Sequence, residues 1–126
     1  MRVRVWVDAW HLRCCAPPFE VGDRVAWPLA TDAEQSGWLE EVLGADLART
    51  VTFTEDHHDA LPVATPETHG VVQSITAATM SVGTSSGAPA PALLVDVRGA
   101  EGGDMSCHGH RLLGYVVVLE VSAPAP

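Results

Sequence analysis

The stretch Pro18-Phe19-Glu20-Val21-Gly22-Asp23-Arg24-Val25-Ala26-Trp27 constrains the fold more than any other part of the chain. Gly22 can take a positive φ without steric cost and Asp23 can hydrogen-bond nearby backbone, so Val-Gly-Asp has the chemistry of a tight turn. A strand is predicted to start at Arg24. Its side chains alternate, which puts Val25 and Trp27 on one face and Arg24 and Ala26 on the other. Pro28 lacks an N–H and should end ladder pairing or mark an edge. A turn that launches such a strand is the beginning of a small, strongly bent β-sheet.

The rest of the chain agrees with a β-rich domain. Val3, Val5 and Val7 alternate with Arg2, Arg4 and Asp8, which predicts a half-buried first strand, with Trp6 breaking its polar face. After Trp27, Thr31-Asp32-Ala33-Glu34 has the spacing of a capping box, and Trp38, Leu39, Val42 and Leu43 recur at helical spacing before Gly44, a plausible stop. Further strands are predicted over Thr50 to Thr54, Gly70 to Ala78, Leu93 to Val97 and Leu112 to Val121. Val71 and Ile75 share a face with Gln73, which predicts either a bulge there or a strand partly exposed on both sides. The last strand is apolar on both faces, so it should be central or covered by the helix. Residues 83–91 and 99–110 are predicted loops, and Ser122 to Pro126 a disordered tail.

The chain has 126 residues, one domain's worth, and residues 1–121 are predicted to form that domain. Three cysteines, two of them adjacent, cannot build a disulfide framework, and no apolar run approaches the length of a spanning helix. A cytoplasmic location is therefore expected. The net charge of −9 is uneven: four Arg face three acids over residues 1–30, Arg49 faces nine over 31–67, and two Arg face four over 68–126. Phosphate binding needs clustered cations, and no cluster occurs along the sequence, so neither nucleic acid nor an anionic membrane is expected as a partner.

Two kinds of functional residue stand out. Cys14 and Cys15, Asp56, His57 and His58, and Cys107, His108 and His110 occupy three separate polar segments. Thiolate, imidazole and carboxylate together suit tetrahedral zinc, so zinc is the cofactor these residues would imply if the segments met. There is no Cys-x-x-Cys pair, adjacent cysteines point apart, and the alternative is a set of ordinary loop and core residues. The same residues could serve a thiol nucleophile with a histidine base. Separately, Glu40 and Glu41 on the predicted helix, with Trp10 and Trp38, could form an acidic, Trp-containing surface that receives a protein partner. The alternative for Trp38 is a plug over the end of the sheet.

Phe19-x-Val21-Gly22-Asp23-x-Val25 is similar to the strand start of many SH3-like barrels. The expected fold is thus mainly β: a small, partly open SH3-like or related barrel of about six strands, with one helix between strands two and three. The segments Val3 to Trp10, Cys14-Cys15, Pro18-Phe19 and Val21 to Trp27 resemble a family of small uncharacterised actinobacterial proteins, a domain of unknown function. Glu55 to His58, Leu61-Pro62, Gly70 to Val72 and Leu113 to Tyr115 also fit it. The resemblance implies a single domain and carries no activity. The function expected is binding of a protein partner or a small molecule, and the alternative is a zinc-dependent or thiol-dependent enzyme.

Overall fold

A computed structural model describes residues 1–9, 18–30, 36–55, 67–81, 93–100 and 110–121. These form strands β1 (Arg2–Asp8), β2 (Phe19–Glu20), β3 (Arg24–Ala30), β4 (Val51–Glu55), β5 (Glu67–Ser81), β6 (Leu93–Val97), β7 (Gly99–Ala100) and β8 (His110–Val121). Helices α1 (Ser36–Leu43) and α2 (Ala45–Ala48) lie between β3 and β4. The fold is mainly β. There are eight strands rather than six among the described residues, and two helices rather than one. The predicted capping box at 31–34, the linker at 83–91 and the tail lie outside the described residues.

The turn at Val21-Gly22 forms as its residues dictate. Gly22 has φ +96°, the Asp23 N–H donates to the Glu20 carbonyl at 3.0 Å, and the Asp23 carboxylate accepts from the Glu20 N–H at 2.9 Å. The side chain thus closes the turn backwards, onto the residue three before it. β3 follows and pairs antiparallel with β5 from Arg24 to Pro28, then with β4 through Leu29 and Ala30. Pro28 stands where the partner changes. It is the one residue of β3 that cannot donate to a ladder, and the strand switches neighbours there.

Pairing runs β3-β4-β1-β8-β5, and β5 returns to β3, so five strands curl into a barrel-like sheet. β1 runs parallel to β4 and antiparallel to β8. β5 is long enough to hold β3 on the first part of one edge and β6 on the later part of that edge, with β8 along the other. β2 and β7, each of two residues, pair only with one another. β7 replaces the start of the loop predicted from Gly99, and two-residue strands have no periodicity to read.

The barrel interior is packed. Val5, Val7, Phe19, Trp27, Val72, Ile75, Tyr115, Val117 and Leu119 are buried in one apolar cluster. Phe19 sits edge-to-face against Trp27 at 4.9 Å and Tyr115 at 6.4 Å between ring centroids. Burying such a ring contributes about 2 kcal/mol. A second cluster lies on the outside of the sheet, where Leu39, Val42 and Leu43 of α1 and Ala48 of α2 cover Trp6, Ala78 and Val116. Trp6 therefore does not interrupt a solvated face; its half of that face is under the helices. β8 is both central and covered, which explains its two apolar faces.

The Trp6 indole rests on Gly114. A Cβ at Gly114 would stand 2.5 Å from Trp6 Cζ2 and 2.6 Å from the Val7 carbonyl oxygen. Gly114→Ala is expected to cost about 1 to 3 kcal/mol by overpacking. Gly22→Ala, in open space but at positive φ, is expected to cost about 1 kcal/mol through backbone strain. Denaturant melts in a double-mutant cycle separate the two causes: Trp6→Phe should couple to Gly114→Ala and be additive with Gly22→Ala.

β6 departs from its predicted alternation. Leu93, Leu94 and Val95 are 55%, 38% and 44% exposed, so apolar side chains on both faces of β6 meet solvent among the described residues. The strand is the last in the sheet, beyond the closed ring.

Candidate functional site

Two surfaces of the described residues carry chemistry, and both lie on the outside of the barrel. The first is the outward face of the helices. Because Leu39, Val42 and Leu43 face the sheet, the helical period leaves Glu40 and Glu41 exposed. Gly44 ends α1 at φ +86°, with its N–H donating to the Glu40 carbonyl at 2.9 Å. Asp46 of α2 is paired with Arg49 at 2.7 Å, and the Thr50 hydroxyl donates to the Leu47 carbonyl at 2.6 Å. Among the described residues Glu40 and Glu41 thus make up the unneutralised part of this acidic face. Trp38 belongs to α1, and Trp10 lies outside the described residues.

The second surface is a groove of about 550 Å³ on the uncovered half of the same sheet face, beside the helices. Its lining comes from four adjacent strands: Thr50 and Thr52 near β4, Arg2 and Arg4 from β1, Val118 from β8, and Gln73 and Ser74 from β5. Register puts Arg4 opposite Val118 and Val118 opposite Ser74, a straight row across three strands. The ladders on either side slip by one residue. On β4 the pairing passes from Val51 to Phe53 and skips Thr52; on β5 it passes from Val72 to Ser74 and skips Gln73. The bulge predicted at Gln73 is there, and it brings two successive polar side chains to the groove.

The charges differ along the groove. Arg2 donates to Glu120 at 3.2 Å, and the Met1 ammonium donates to the other oxygen of the same carboxylate at 3.1 Å. These contacts, the ammonium hydrogen bond foremost, hold the Glu120 carboxyl below its ordinary range. Among the described residues Arg4 has no such partner. A folded-state value below the unfolded one means that this contact stabilises the fold at neutral pH and is lost as pH falls through the carboxylate range. Glu120→Gln is therefore expected to be less stable than the native chain at neutral pH, with the gap closing on acidification; equilibrium melts across that range check it.

The residues that suggested zinc are not brought together by anything described. Cys14, Cys15, Asp56, His57, His58, Cys107 and His108 lie outside the described residues, and His110 opens β8 opposite Ser81. Among the described residues no three His, Cys, Asp or Glu side chains form a group that could hold a metal ion, and no helix is long and apolar enough to cross a membrane. Arg4, Thr52, Gln73 and Ser74 were not legible as one site. Only the broken alternation at Gln73 signalled an irregularity, and no local pattern links it to Arg4.

The fold and its surfaces define a mainly β, barrel-like domain with a packed interior. The chain belongs to a family of unknown function, DUF6578, whose pattern spans residues 1–121. No curated protein and no solved structure matches it.

Proposed function

We propose that this domain works by binding, and that the acidic outer face of α1, with Glu40 and Glu41 at its centre, receives a partner protein that presents basic side chains. The observation that carries this reading is the division of labour in the structure. The barrel interior is filled by side chains, which leaves the outer surface for recognition, and the docking of Leu39, Val42 and Leu43 aims two adjacent carboxylates outward. An acidic face steers a basic partner at a rate that weakens with salt. The same reading takes the barrel as SH3-like, on its strand start at Phe19 to Val25, and the protein as a cytoplasmic one of actinobacterial type, on its cysteine usage and sequence resemblance.

The double variant Glu40→Gln/Glu41→Gln removes charge and keeps helix and core. It should melt like the native chain yet lose proteins that the native domain captures at low salt and releases at high salt. Equal capture by both proteins would remove this face from the function. In the same preparation, elemental mass spectrometry tests the zinc alternative: near-stoichiometric zinc, with a melt lowered by chelator, would favour it.

A further inference from the structure

We propose that the groove over Arg4 is a binding site for a small organic molecule that carries an oxyanion, a carboxylate or a phosphate. This goes beyond the acidic helical face, uses different residues and gives the domain a second, small-molecule specificity.

The first argument is electrostatic. In a chain of net charge −9, Arg4 is an exposed guanidinium with no carboxylate beside it among the described residues. Its neighbour Arg2 is already held by Glu120, so the two arginines are not equivalent. A guanidinium offers a planar fork of donors that matches a carboxylate or phosphate, and among the described residues nothing occupies that fork on Arg4.

The second argument is geometric. Thr52 and Gln73 are both skipped by the ladders, one on each flank of the groove. A bulge leaves its extra residue outside the ladder and re-aims a side chain, and such features recur beside binding sites. Here both bulges turn polar side chains toward the same space. Thr52, Gln73 and Ser74 are exposed, and among the described residues none of these side chains makes a hydrogen bond. They supply two hydroxyls and one amide as neutral donors and acceptors.

The spacing sets the ligand's size. Adjacent strands lie about 4.8 Å apart, so the row from β4 through β1 and β8 to β5 spans about 14 Å. Val118, half-buried, forms an apolar floor between Arg4 and Ser74. A ligand that matches this surface places its oxyanion on Arg4 beside Thr52, lays an apolar body over Val118, and offers a polar group to Ser74 and Gln73. The volume of about 550 Å³ accommodates a molecule of that size.

Titration of the isotope-labelled domain with inorganic phosphate, with acetate and with sodium chloride at matched ionic strength tests the site by NMR. Saturable shifts confined to the Arg4 side chain, the Gln73 amide, Thr52 and Ser74 are expected with phosphate or acetate and not with chloride. The stronger of the two anions assigns the oxyanion. Arg4→Gln should weaken the interaction about tenfold or more, and Gln73→Ala and Ser74→Ala serve the same test should that variant not fold. Shifts that chloride reproduces, or equal binding by the folded variants, would overturn the proposal. Since Arg4→Gln leaves Glu40 and Glu41 in place, its effect is separate from partner capture.

Discussion

The seating of Trp6 against Gly114 is the contact on which the rest of this structure depends. β1 is buried on both faces over Val5, Trp6 and Val7, where Val5 and Val7 go inward to the barrel core and Trp6 outward beneath the helices. The indole can approach β8 this closely only where β8 has no side chain, and Gly114 provides that position. With the ring in place, α1 has an apolar surface to cover. Without it, the outer cluster would lose its largest member and the helices their footing.

That contact also divides the outer face of the sheet. The rows through Trp6 and Val116 belong to the helices, whereas the next row, through Arg4 and Val118, is open. The two surfaces to which function is assigned lie side by side for this reason. One is the back of what covers the sheet, and the other is the part of the sheet left uncovered. Their charges are opposite in sign, so an acidic protein presents an exposed guanidinium next to an acidic helical face.

Much of this architecture was legible in the residues, and the parts that were not share a cause. The alternation of Val3, Val5 and Val7, the Gly22 turn, the Gly44 stop and the double apolarity of β8 are local signals, and each corresponds to an observed feature. Trp6 could be seen as an exception but not explained, because what covers it comes from residues 39–48. β2 and β7 are too short to leave a period. The groove depends on register: Arg4, Val118 and Ser74 share a row only because β8 pairs with both β1 and β5, and no stretch of sequence carries that information.

The arrangement along β5 has a consequence for how the domain opens. β3 and β6 use successive parts of one edge, and only β3 is part of the closed ring. β6 can therefore detach and leave every hydrogen bond of the ring intact, whereas release of β3 breaks the ring. Backbone amides that β6 shares with β5 are therefore expected to exchange through a smaller opening than those between β5 and β8.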